Sequence, residues 1–129
     1  MDFQMKHIRQ RVLAWAAMAV VAAMPCQLLA QVFPSRPITL VVPFAAGGGT
    51  DSIARDVAKL MAERLGQPVV VDNRGGAGGA VGAEWVAKAK ADGHTLLFAT
   101  STFVTHAAIT PRLPYDALED FAPVAMIGR

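Results

Sequence analysis

Short unbroken apolar runs alternate along this chain with stretches of helical, 3.6-residue rhythm, and the unit repeats. Ile38-Thr39-Leu40-Val41-Val42 is the first run, apolar on both faces, as expected of a strand inside a parallel sheet. Pro43 and Phe44 end it. A helix is expected over about residues 51–65, with Ile53, Val57, Leu60, Met61 and Leu65 on one buried stripe and Arg55, Lys59 and Glu63 away from it. Thr50 or Asp51 caps its start, and Gly66 with Pro68 closes its end. Val69-Val70-Val71 is the second strand. A second helix, over about residues 79–90, turns Val81, Trp85, Val86 and Ala89 toward the sheet, and Thr95-Leu96-Leu97-Phe98-Ala99 follows as the third strand. Beyond it the pattern predicts a short helix over 106–110, a polar connection and a fourth strand over 121–127. Residues 105–120 are expected to be the least ordered.

The βαβαβ order implies right-handed crossovers and an open α/β layer with the first strand central. Each of the first two strands leads into its helix through a glycine-rich loop: Ala45-Ala46-Gly47-Gly48-Gly49-Thr50-Asp51, then Asn73-Arg74-Gly75-Gly76-Ala77-Gly78-Gly79. Glycine lets backbone N–H groups approach a ligand closely, and a helix start adds unpaired donors and the positive end of the dipole. Parallel strands bring both loops, and the hydroxyl-rich loop Thr100-Ser101-Thr102, to one edge of the sheet. Such an edge suits a small carboxylate or phosphate. The plainer alternative is a pair of tight strand-to-helix turns. Asp51 reads as a helix cap or as a partner for a ligand ammonium group, and Arg74 as a counter-charge or as a surface partner of Asp72.

The first thirty residues stand apart. Lys6, Arg9 and Arg11 precede an apolar core over residues 12–24, and Ala30 offers a small residue for cleavage. This is the pattern of a Sec-type signal peptide, too short in its apolar part to span a bilayer. The expected domains are residues 1–30 as that signal and 31–129 as one α/β lobe of the 129-residue chain. Cys26, the only cysteine, would leave with the signal, which removes thiol chemistry from the exported part. Three of the twelve cations and one of the ten acids also lie there, so the remainder carries nine of each and is formally neutral. No basic stripe with interleaved aromatics remains, and nucleic acid is not expected as a partner.

Enzyme chemistry finds little support. The first glycine loop has no lysine where a P-loop needs one, and residues 75–82 do not read as G-x-G-x-x-G. Ser52 and Ser101 lack a nucleophile elbow, and His106 reads as a loop residue or one set behind the site rather than a base. His94 and His106 are isolated, so neither metal nor cofactor is expected.

Taken together, Pro37-Ile38-Thr39-Leu40-Val41-Val42-Pro43-Phe44, the turn from Gly47 to Asp51, Gly66-Gln67-Pro68-Val69-Val70-Val71-Asp72-Asn73-Arg74, Gly78-Gly79, Ala91-Asp92-Gly93-His94-Thr95-Leu96-Leu97 and Leu113-Pro114-Tyr115-Asp116 resemble the Bug, or TctC-like, family. These are periplasmic receptors of tripartite tricarboxylate transporters. The resemblance implies part of the first lobe of a type II periplasmic binding-protein fold, monomeric, holding a small carboxylate and serving membrane transporter subunits. Carried over position by position, it points to Phe44, Gly47, Gly48, Gly49, Thr50, Asp51, Gly78, Gly79, Ser101 and Thr102 as ligand-binding residues. Family members are more than twice this length. A truncated receptor is therefore expected, with a remnant lacking useful affinity as the alternative and an α/β metabolite enzyme as the third.

Overall fold

A computed structural model describes residues 32–128, so the expected signal segment lies outside the described residues. β1 (Ile38–Val42) pairs in parallel with β2 (Val69–Asn73) on one side and β3 (Thr95–Leu97) on the other, giving the order β2-β1-β3. Leu40 stands opposite Val71 and Leu96, which fixes the register across all three strands. The first strand is central, as its two-sided apolar pattern requires. Ile38, Val41 and Val42 are sealed from solvent.

Helices cover both faces. α1 (Gly49–Leu65) connects β1 to β2 and packs Ala54 and Ala58 against Leu40 and Val42, with Val69, Val71 and Leu96 around them. α2 (Ala80–Ala87), entered through a 3₁₀ turn at Ala77–Gly79, packs Ala80 and Ala83 near Leu97 on the other face. α3 (Ser101–Ile109) follows β3 directly.

The stripe expected on α1 is not the face it buries. Ile53 is 54% exposed and Leu60 61%, while Ala54 and Ala58 are buried together with Asp51. Residues 51, 54 and 58 lie on one helical face. Turning Asp51 inward to its hydrogen-bond partners therefore brings the alanines, rather than the larger residues, against the sheet. Small side chains also let the helix sit close to the crowded valines beneath it. α2 shows the same preference: Ala80, Gly82 and Ala83 are buried, while Val81 and Trp85 stay 49% and 37% exposed. A Cβ on Gly82 would stand 2.8 Å from the Arg74 carbonyl oxygen and 3.0 Å from Pro43 Cβ, so this helix can approach the strand ends only with glycine there.

One further expectation fails past β3. Residues 121–127 form no strand: Val124, Met126 and Ile127 are exposed, and no described strand lies beside them to complete a ladder. Residues 105–120 carry the second half of α3 and then irregular turns, in which Tyr115 joins an aromatic cluster with Phe103 and Phe121. Phe103 stacks on Tyr115 at 5.9 Å between centroids, and Phe121 meets both rings edge-on at 5.2 and 5.6 Å. Asp116 ties the turn that follows by accepting the Leu118 and Glu119 amides.

Candidate functional site

The three strand-to-helix connections lie at the carboxyl edge of the sheet because all three strands run parallel. They also touch. A Cβ on Gly75 would come within 3.3 Å of the Ala45 nitrogen, one on Gly79 within 3.4 Å of Pro43 Cβ, and one on Gly78 within 3.0 Å of the His106 ring. The first loop thus rests on the second, and the second on α3.

In the first loop the left-handed residue is Gly47, at φ 83°. Gly48 is the N-cap of α1, with φ −81° and ψ 170°, so neither Thr50 nor Asp51 holds the cap position. No side-chain bond caps the helix there. Asp51 acts instead from within the first turn, reaching back so that the Gly47 amide donates to its Oδ2 at 2.8 Å. Arg55 Nε donates to the same oxygen at 3.0 Å, and Asn73 Nδ2 to Oδ1 at 2.9 Å. These three donors, Arg55 first, hold the buried Asp51 carboxyl at about 2, well below its ordinary 3.8. Both carboxylate oxygens are thereby engaged inside the protein. Among the described residues Asp51 is the one buried carboxylate, and the Arg55 guanidinium beside it balances its charge.

Asn73 stands in a motif that the sequence singles out, but the sequence alone assigns its side chain no role. It ends β2, accepts from Arg55 through Oδ1 at 3.1 Å, and donates to the Phe44 carbonyl oxygen at 3.3 Å as well as to Asp51. One side chain therefore ties the end of β2 to both ends of the first loop. Its signal was present in the Asp72-Asn73-Arg74 run, where an amide side chain follows a valine strand and faces an acid 22 residues earlier. Phe44 is half-buried and packs against the α1 cluster. Gly49 and Thr50 form the opening residues of α1.

The second loop is conformationally demanding. Gly76, Gly78 and Gly79 all have positive φ, and Gly78, at φ 65°, has the His106 ring against it. Arg74 does not face the glycines. Its Nε donates to Asp72 at 2.7 Å and its guanidinium carbon lies 4.0 Å over the Trp85 ring, so it acts as a surface partner. The third connection is not a loop: Ser101 and Thr102 are exposed residues of the first turn of α3, and Thr100 is its N-cap. The edge as a whole offers three helix starts and a set of backbone amides.

Comparison with known proteins gives this geometry a lineage. The family described as the tripartite tricarboxylate transporter family receptor (TctC) matches residues 53–129. BugT of Bordetella pertussis is 45% identical over 109 residues, which is 83% of this chain and 33% of BugT. Among solved structures, MatC from Rhodopseudomonas palustris with bound malate is 47% identical, with a TM-score of 0.67 over 71% of this chain and 32% of MatC. A second R. palustris protein, solved with adipate, is 41% identical, with a TM-score of 0.60 over 65% of this chain and 28% of its own. The chain spans about a third of the length of these relatives. The matched family is one of transporter receptors, not of enzymes. On the match across residues 53–129, this chain belongs to the tripartite tricarboxylate transporter receptor family, TctC, to which the Bug-type resemblance of its sequence pointed.

Proposed function

We propose that this chain is an exported receptor segment that holds a small dicarboxylate at the carboxyl edge of its sheet, for delivery to the membrane subunits of a tripartite transporter. The observation that carries the reading is the contact of Gly75 and Gly79 with the Pro43–Ala45 segment that leads into the first glycine loop, which gathers backbone donors at one edge while Asp51 is already paired with Arg55. A carboxylate accepts several hydrogen bonds at once, so an amide-lined edge needs no catalytic group to bind one. Malate and adipate, the ligands named with two related structures, are the diacids to try. In this reading Gly47, Gly48, Gly49, Thr50, Gly78 and Gly79 line the site, and Asp51, through Gly47 and Asn73, sets the shape of the first loop. Residues 1–30 serve as the export signal and residues 31–129 as the receptor lobe.

Amide NMR of the full chain during malate or adipate titration tests the site. Shifts concentrated at residues 47–51 and 75–79 support it, and a Gly78→Val variant, strained at φ 65° and pressed on His106, should abolish them. Ser52→Ala, on the exposed side of α1, should leave them unchanged. Shifts elsewhere, or none with either diacid, would sink the assignment. Export is tested separately by intact mass of periplasmic material, where retention of Met1 would count against cleavage.

A further inference from the structure

Past β3 the molecule carries an open groove of about 700 Å³ between α3 and residues 110–118. Phe103 and Tyr115 of the ring cluster line it and are themselves half-buried and buried. Other lining residues are apolar and open to water: Val104 is 67% exposed and Leu118 87%. Apolar side chains left in water beside a hollow mark a surface made for contact. None of residues 47–51 or 75–79 lines the groove, so it is separate from the carboxylate edge. It also carries both signs of charge. Arg112 and Asp116 line it together, yet Arg112 makes no ion pair among the described residues. Asp116 engages only its Oδ1, on the Leu118 and Glu119 amides, and Oδ2 has no partner among the described residues.

We propose that this groove is a self-association surface, and that its occupant is the same groove of a second copy of this chain. A twofold contact has to be its own complement: what one residue of the patch offers, another residue of the same patch must accept. This patch meets that condition twice. Leu118 is an exposed apolar side chain beside a hollow with room for one, and Arg112 and Asp116 are opposite charges that a single copy does not pair. Turned about a twofold axis, each Leu118 enters the groove of the other copy and each Arg112 meets the other's Asp116. The crossed pairs fix the register, since a slipped contact that set Arg112 beside Arg112 would be repelled. A partner of different sequence would have to supply the apolar side chain and both charges anew, whereas a second copy already holds them. The inference goes beyond the receptor reading and does not rest on it.

Light scattering behind size-exclusion chromatography of the full chain, run over a series of loadings, tests this. The expected mass is that of two chains at high loading, falling toward one on dilution and never rising past two. Leu118→Glu, Arg112→Glu and Asp116→Lys should each raise the dimer dissociation constant at least ~10-fold. An equal mixture of the Arg112→Glu and Asp116→Lys chains should regain the dimer, because both crossed pairs are then of opposite sign. A single-chain mass at every loading overturns the proposal. So does growth past two chains, or a dimer that neither Leu118→Glu nor Arg112→Glu weakens. If the chain stays single while the part of MatC that it does not match, added in trans, shifts the amides of residues 103–118, the groove belongs to the rest of a receptor chain and the second copy is overturned. Should Asp116→Lys disturb the turn that its carboxylate ties, Leu118→Glu and Arg112→Glu, both at exposed side chains, still decide.

Discussion

The two apolar clusters of this domain are made from opposite materials. On one face, Leu40 and Val42 of β1 meet Ala54 and Ala58 of α1, so a strand of large residues is matched by a helix of small ones. On the other, the small residues Ala80 and Ala83 of α2 are backed by Tyr115, Phe103 and Phe121, three rings drawn from α3 and the irregular segment after it. The first arrangement brings a helix close and fixes its rotation, which the Asp51 network at its start exploits. The second fills the wider gap left by a segment that forms neither helix nor strand. Close packing serves the candidate site, and ring packing holds the chain that leaves it.

The largest effect should come from the ring cluster. Tyr115 is nearly sealed and touches both other rings, so Tyr115→Ala removes the centre of the cluster and should cost about 3 kcal/mol, at the low end for aromatic truncations because Phe103 and Phe121 are only partly buried. Urea unfolding followed by tryptophan fluorescence and by circular dichroism checks it. Coincident curves would show the two clusters unfolding as one unit; separated curves would show the ring side opening first.

The alanine side should fail in the opposite sense, by excess volume. Ala58 is 4% exposed beneath Leu40 and Val42, and Ala58→Leu should cost roughly 2 kcal/mol because α1 cannot move outward without pulling Asp51 from its donors. Its sharper readout is the site. A displaced α1 should change the Gly47 amide resonance, whereas Tyr115→Ala should leave that resonance in place.

Acid tests the same network without mutation. Asp51 is held at about 2 by the Arg55, Gly47 and Asn73 donors; Asp92 is lowered by the His94 amide and then Arg36, and Asp116 by the Leu118 and Glu119 amides. In each case the folded carboxyl is the stronger acid, so the unfolded chain binds more protons in acid and stability falls as pH falls. The stability Asp51 contributes is fully present above the ordinary 3.8 and is lost as pH drops through about 2. Asp51→Asn should flatten the acid limb of the urea midpoint more than Asp92→Asn does, since the Asp92 side chain is 40% exposed and that of Asp51 only 4%. An equal flattening would show that burial of the Asp51 network adds nothing beyond its hydrogen bonds.

Strand order, the central place of β1 and the gathering of the glycine loops at one edge could all be read from apolar runs and turn residues, because those features depend on local pattern and on the handedness of crossovers. Helix rotation could not. Periodicity weighs hydrophobic size, and it chose Ile53, Val57 and Leu60, whereas the helix is turned by hydrogen bonds to Asp51 from Asn73, 22 residues away, and from Arg55. The third connection was misplaced for a related reason. Thr100-Ser101-Thr102 looks like a loop until the chain beyond it supplies Phe103 and His106 to pack against Tyr115 and Gly78, which makes a helix start of it. The expected fourth strand failed because an apolar alternation specifies a strand only where a neighbouring edge is free to receive it.

The smallest expected effect is the most direct check on that lesson. If Ile53 and Leu60 were core residues of α1, replacing either with serine would cost several kcal/mol. At 54% and 61% exposure they retain most of their contact with water, and Ile53→Ser or Leu60→Ser should change stability by no more than about 0.5 kcal/mol. Serine's weaker helix propensity accounts for part of even that. The measurement is a urea midpoint on each single variant beside Ala58→Leu. A loss of ~2 kcal/mol or more at Ile53 would mean that α1 buries its large stripe in solution, and the alanine face, with the Asp51 rotation built on it, would have to be given up.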